Sequence, residues 1–393
     1  MNIMNKIFKF YKEKRLFLKI SYYISIYITS LVSILFYRKK YKIKIIVPKY
    51  KIPTKDSLEE KTVNRIFAAL KKMKIKEKKV DKIFRPSSMW EEKLKNSYRD
   101  INKALEENDL YLFHSFLYNF GISNNWLGLD HPFMSKKKLN SFVYKNYARN
   151  FIIDKQIQNW QWFYNNRKKM NELNCPNYGN QIGAYVEDIF ISAGSFWSEI
   201  YSSILYQPIK EFNRPVIADL GSGYGIVPYF IIKKFNKLCF VDFDLPEVLS
   251  IASYYLMKSF PNKKTLLYGE ENFTTQSISN YEMIFLPSFE IEKLKEDSVD
   301  LFINKNSLGE INIDAAKLFI KHITKSTNYF FHMNHDNYPY QFSDNSKILL
   351  SNEYPIDDKK FRLLFRYPDL GHFSPSGFYN YDNDIFLYLY QKK

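Results

Sequence analysis

Cysteine is almost missing from this chain: Cys175 and Cys239 are the only two in 393 residues. Two thiols cannot build a disulfide framework or a Cys-rich zinc site, and Cys239 falls inside an apolar, strand-like run. A reducing, cytoplasmic setting is therefore expected. Acidic residues are scarce in one region only. Residues 1–90 hold 24 Lys and Arg against 6 Asp and Glu, whereas the other 303 residues hold 34 against 35. The net charge of +17 thus belongs to an N-terminal extension, and the rest of the chain is close to neutral. No basic surface is left to steer nucleic acid across the rest of the chain, whereas a basic arm suits an anionic membrane. Internal repeats are also lacking.

Long apolar runs are short supply as well. Residues 20–37 are uncharged over 18 positions, the lower limit for spanning a bilayer. Ser21, Ser25, Thr29 and Ser33 recur within them at a spacing of four and would mark one stripe of a helix. Basic residues flank both ends, so no orientation follows, and no small-residue cleavage site completes a secretory signal. Two readings stay open. The segment is either a membrane-associated helix, lying on or crossing the bilayer, or a buried packing helix. The lysine-rich run 71–79 reads as a solvated helix face or a linker.

What is present points to more than one core, since 393 residues exceed a single typical domain. Residues 90–118 and 150–173 carry helix formers with apolar steps of three and four, separated by a Gly-, Asn- and Asp-rich loop at 121–132. A second loop over 174–180 precedes a helix-like stretch at 196–206. From Pro215 onward the period changes. Strands at 216–220, 238–243, 265–268, 283–286, 299–303 and 329–333 alternate with helices at 226–235, 246–260, 291–295 and 315–323. Pro246 stands in the first turn of its helix, where its missing donor is harmless. This alternation predicts an α/β fold, a Rossmann-like, doubly wound and mostly parallel sheet, closed by edge strands at 361–365 and 385–390. The expected organisation is a basic extension over 1–87, a mainly helical acceptor-side or lid domain over 88–213, and the α/β domain over 214–393.

Chemistry concentrates at the first strand of that sheet. Asp219 leads into Gly221, Gly223 and Gly225 and onto a helix N-terminus. Such a turn lets a ligand approach the backbone closely and tolerates positive φ. The spacing is Gly-x-Gly-x-Gly, and Ile226 occupies the place where the dinucleotide fingerprint needs glycine, which argues against a nicotinamide oxidoreductase. Asp242 and Asp244 end the next strand, where a carboxylate would accept hydrogen bonds from a ribose diol.

These residues resemble the cofactor site of class I methyltransferases. Asp219 to Gly225 is similar to their first motif, and Phe243-Asp244-Leu245-Pro246 resembles the ribose motif of O-methyltransferases. Further segments resemble a bacterial family of sugar O-methyltransferases: Gly179-Asn180-Gln181, residues 244–255, Leu267-Tyr268-Gly269-Glu270, Leu286-Pro287-Ser288 and Asn306-Ser307-Leu308-Gly309-Glu310. The likeness covers roughly residues 88–393 and leaves the basic extension outside it. It implies S-adenosyl-L-methionine as cofactor and a class I methyltransferase domain over 214–393. Gly221, Gly223 and Gly225 would then wrap the methionine portion, with Asp219 at its ammonium. Asp244 would hold the ribose, with Asp242 as the alternative. Ser288 and Phe289 would border the adenine, and Asn304 and Asn306 would line the sulfonium or the acceptor.

Methyl transfer from a sulfonium needs positioning and a base for the acceptor hydroxyl. His335 and Glu310 are the leading candidates, with His332, Asp336 and His372 behind them; no metal site is expected. Imidazole titrates near neutral pH, which suits His335, just past a strand at the functional edge of the sheet. The expected reaction is O-methylation of a sugar hydroxyl, on a nucleotide sugar or a surface glycan. The alternatives are another small-molecule acceptor and a non-catalytic scaffold that binds S-adenosyl-L-methionine. Nucleic acid is not an expected partner. The expected location is the cytoplasm, with attachment to the inner face of the membrane through the basic segment.

Overall fold

The computed structural model describes residues 24, 28, 40–46, 48–53, 57–122, 147–192, 194–337, 344, 347–373 and 384–393. The 20–37 segment, apart from Ile24 and Ile28, and the 123–132 part of the expected loop lie outside the described residues. Among the described residues no helix is long and apolar enough to cross a membrane.

In chain order, strand β1 (Ile43–Ile46) is followed by helices α1 (Ser57–Glu77), α2 (Ser88–Ser97), α3 (Arg99–Glu107), α4 (Leu110–Tyr118) and α5 (Tyr147–Phe163). A hairpin of β2 (Gly183–Val186) and β3 (Ile189–Ser192) then leads to α6 (Ser195–Tyr206). Side chains start these helices where the sequence offers them. Ser87 accepts from Trp90 N to open α2, and Asp109 accepts from Leu112 N to open α4. Asn108, in the left-handed region at φ 53°, closes α3. The 88–213 region is therefore not helical throughout: β2 pairs with β3 and with β1 of the basic extension in a small antiparallel sheet, Ile43 facing Val186.

The large sheet comprises β4 (Val216–Leu220), β5 (Cys239–Asp244), β6 (Thr265–Leu267), β7 (Met283–Pro287), β8 (Val299–Lys305), β9 (Thr327–His335), β10 (Phe361–Pro368) and β11 (Ile385–Lys392). Its order is β10-β11-β9-β8-β4-β5-β7-β6. Every pairing from β9 to β6 is parallel, and β11 runs antiparallel between β9 and β10. The expected Rossmann-like α/β sheet is present. One expectation is corrected: of the two closing strands only β10 is an edge, because β11 inserts beside β9 and satisfies both neighbours. Chain order reverses at β4, which has β5 on one side and β8 on the other. The carboxyl end of β4 is therefore the switch-point crevice where open α/β sheets bind ligands.

Helices α7 (Ile226–Ile232) and α8 (Pro246–Ser259) follow β4 and β5, and α10 (Ile313–Ser326) follows β8, with the short α9 (Thr275–Asn280) between. On one face of the sheet, Ala316, Phe319, Ile320 and Ile323 of α10 pack over Phe302 and Phe330. On the other, Ile251 and Tyr255 of α8 share a cluster with Val63, Phe67 and Leu70 of α1 and with Leu94 and Phe113 from the α2–α4 region. Each Val, Leu, Ile or Phe among them, once fully buried, contributes ~1.5–3 kcal/mol. This cluster crosses both expected boundaries, 87/88 and 213/214. Polar links tie the same joint. Lys74 reaches Glu247 at 2.8 Å, Lys72 donates to the Gly269 carbonyl at 2.6 Å, and Arg65 forks onto Glu270 at 2.7 and 2.9 Å. The lysine run is thus partly committed to the fold and is not a purely solvated face.

Candidate functional site

The glycine turn sits on the switch point. Gly221 adopts φ 87° and donates its N–H to the Phe243 carbonyl at 2.8 Å, tying β4 to β5. A Cβ there would stand 2.4 Å from Ser307 Cβ, so position 221 admits no side chain. Gly225, at φ 90°, is the residue from which α7 starts, and an added Cβ would meet Leu256 at 3.1 Å. Beside this turn lies a cavity of about 390 Å³, within the range of small-molecule sites. Its wall includes Asp219, Gly221, Gly223, Asp244, Ser288, Asn306 and Glu310, all expected from sequence. Gly225, Asp242, Asn304 and His335 are off that wall.

Three carboxylates converge here. Asp219 and Asp242 are paired across β4 and β5, and Asp244, two residues on, shares their face. Asp242 therefore points toward the same side as Asp244, but beneath it, where Ser222 Oγ donates to it at 2.7 Å. Leu245 N–H donates to Asp244 at 2.7 Å. Asp219 Oδ1, Asp242 Oδ1 and Asp244 Oδ2 are buried with no partner among the described residues. Burial, reinforced by their mutual repulsion, pushes all three carboxyls well above the ordinary range. Lys305 opposes the shift at Asp219, Ser222 at Asp242, and the N–H groups of Leu245 and Gly223 at Asp244. Such a pocket suits a ligand that brings positive charge and several hydrogen-bond donors. S-adenosyl-L-methionine, with an ammonium, a sulfonium and a ribose diol, meets that requirement.

The β8 exit shapes the opposite wall. Asn306, at φ 65°, presents a buried Oδ1 without a partner. Asn304 is corrected from a ligand contact to a scaffold residue. Its amide donates to the Leu220 carbonyl at 2.9 Å and accepts from Asn334 at 2.8 Å, which leaves it no free group at the cavity. Ser307 Oγ also donates to Leu220, at 2.6 Å, and Asn334 accepts from Gly309 N at 3.0 Å. Together these bonds lock the 304–310 turn against β4. Glu310 faces the rim, 3.2 Å from Lys93, while its carbonyl accepts from Ser87 at 2.8 Å.

The candidate bases separate cleanly. His335 Nδ1 lies 2.9 Å from Asp384, and its side chain is 42% exposed. Its ring is next to Gly309, where any Cβ would approach it to 3.5 Å. It is therefore a neighbour of the rim, not part of the wall. His332 is fully buried between Tyr388 and Tyr354, both ring nitrogens unpartnered, and burial pushes its pKa down to about 3. It belongs to the core. Asp336 is equally buried and held by Arg366 and Tyr388. These three side chains do not converge, and among the described residues no group suited to a metal forms. Backbone at His372 is helical (Leu370–Phe373).

Sequence reading missed Tyr98, Trp90, Lys93 and Lys305 on the wall and Asp384 beside His335. Lys305 lies between two expected residues and could have been found by asking which way the strand end turns. Tyr98 and Asp384 carry no local signal.

No family model and no curated protein matches the chain. Among solved structures it is similar to the mitomycin 7-O-methyltransferase MmcR (TM-score 0.33, 11% identity, 51% of this chain and 56% of that one). It is also similar to the PH0226 protein from Pyrococcus horikoshii OT3 (0.34, 13%, 51% and 92%). A third is the N-methyltransferase NodS from Bradyrhizobium japonicum WM9 in complex with S-adenosyl-L-homocysteine (0.31, 10%, 49% and 86%). The chain thus spans little more than half the length of MmcR. At these scores the likenesses are partial, and the fold rests on the strand order described above.

Proposed function

We propose that this chain is an S-adenosyl-L-methionine-dependent O-methyltransferase acting on a sugar hydroxyl, of a nucleotide sugar or a surface glycan. The observation that carries it is the pair of buried, unpartnered oxygens of Asp219 and Asp244, set beside a glycine turn at the switch point. Asp219 would take the ammonium and Asp244 the ribose hydroxyls, each as a charge-assisted hydrogen bond. Ser288, at the end of β7, would border the adenine. When bound, the cofactor supplies an electrophilic methyl group on a sulfonium.

The chain's own residues then orient the acceptor and remove its proton. Asp384 would hold His335 through Nδ1, leaving Nε2 to take up the proton of an acceptor hydroxyl at the rim. Glu310 is the second candidate for that proton. Trp90, Lys93 and Glu310 border the cavity, an indole and an ion pair that suit the apolar face and hydroxyls of a sugar ring. The likeness of residues 286–288 and 306–310 to sugar O-methyltransferases supports the same acceptor class. The charge balance after residue 90 gives no support to nucleic acid, and the basic extension supports attachment to the inner membrane face.

The test is transfer of isotopically labelled methyl from S-adenosyl-L-methionine to a panel of nucleotide sugars, phenols and carboxylates. Label on a sugar oxygen is expected. Label confined to a phenol or carboxylate would overturn the acceptor class, and absence of cofactor binding would overturn the whole reading.

A further inference from the structure

Tyr98 joins α2 to α3, outside the large sheet. The side chain is 1% exposed, with Trp90 and Phe116 rings at 6.5 and 6.3 Å, so packing fixes the direction of its hydroxyl. That hydroxyl has no hydrogen-bond partner among the described residues, yet the residue forms part of the same cavity wall as Asp244. A buried hydroxyl left unpaired is unfavourable, and a tyrosine so placed usually finds a partner. Phenylalanine would fill the space at least as well. The hydroxyl is also a permanent donor: burial first, then the charges of Asp244, Glu247 and Glu310, push its pKa well above the ordinary value.

We infer that the Tyr98 hydroxyl contacts the adenosine half of the cofactor, donating to an acceptor atom beside the hydroxyls held by Asp244. This rests on the methyltransferase reading and adds to it a contact from outside the α/β sheet. A carboxylate only accepts hydrogen bonds, so Asp244 alone leaves the lone pairs of a ribose or adenine atom unmet. A phenol O–H next to it completes the pair. The corner between α2 and α3 is then part of the cofactor site.

The test titrates the full chain calorimetrically with S-adenosylhomocysteine and with 5′-methylthioadenosine, which lacks the amino-acid portion. Tyr98→Phe should weaken both by about tenfold, the weight of one hydrogen bond at the upper end of its usual range. Asp219→Asn should weaken only the first. Without ligand, Tyr98→Phe should melt at or above the wild-type temperature, because no protein partner is lost. Equal affinity of wild type and Tyr98→Phe overturns the inference. So does a variant that melts several degrees lower, which would assign the hydroxyl to the fold. Failure of the wild type to bind either probe overturns the methyltransferase reading instead.

Discussion

On the floor of the cavity, Asp219, Asp244 and Asn306 each bury an oxygen with no partner, whereas at the rim Glu310 and His335 are partly exposed and already paired with Lys93 and Asp384. The floor holds acceptors without protein partners, and the rim holds side chains paired with one another. A buried acceptor without a partner is unfavourable, and three of them on one cavity wall are what supports the proposed cofactor role. A partly solvated ion pair such as Lys93–Glu310 loses little when it rearranges, which suits a region that must admit, orient and release an acceptor.

This contrast can be broken in order of expected effect. His335→Ala should lower turnover by about 10²–10⁴-fold, the usual weight of a general base, while leaving affinity for S-adenosylhomocysteine unchanged. Asp384→Asn should follow in the same direction, with an altered pH–rate profile. Survival of turnover within tenfold would move the base to Glu310. Next, Asp244→Ala should weaken S-adenosylhomocysteine about a hundredfold, as expected for two charge-assisted hydrogen bonds. Unchanged affinity would transfer the ribose role to Asp242. The same variant should be more stable than wild type when empty. The native carboxyl titrates above its ordinary value of 3.8, so its penalty appears as pH rises past that value and is complete above the native one. The stability gap should therefore close on acidification.

A smaller effect separates two histidines three residues apart on β9. His332 stays neutral down to about pH 3, so the unfolded chain gains protons below 6.5 that the native state refuses. Stability should fall by about 2 kcal/mol between neutral pH and pH 5 for this reason. His332→Phe should remove that part of the acid loss, as read from denaturant melts at the two pH values. An unchanged acid profile would contradict the core placement. Smallest of all, Glu310→Gln should shift stability by less than ~1 kcal/mol, because its pair with Lys93 is about one-third exposed on both sides.

The sheet was legible because parallel strands read as short apolar runs bounded by glycine, proline or charge, and 216–220, 239–244 and 283–287 stand out in that way. The floor of the site was legible for a related reason: Asp219, the glycines and Asp244 lie at strand ends that the pattern itself locates. What local pattern does not carry is pairing at long range. Just beyond the β1–β2 pair, Lys42 N–H meets the Glu187 carboxylate across 145 residues, and His335 meets Asp384 across 49. In α1, charge obscured packing. Val63, Phe67, Leu70 and Met73 recur at steps of three and four beneath the lysines, so the helix reads as solvated by composition and as core by period. Tyr98 is one of 32 tyrosines, and what sets it apart is an unpartnered hydroxyl on a residue of the cavity wall.

The most direct test of the central claim is calorimetric titration of the full chain with S-adenosylhomocysteine at neutral pH, repeated on Asp244→Ala. The account predicts saturable binding at one site per chain, with a raised melting temperature in the complex and both effects largely lost in the variant. No binding heat and no change in melting temperature for the wild type would contradict it.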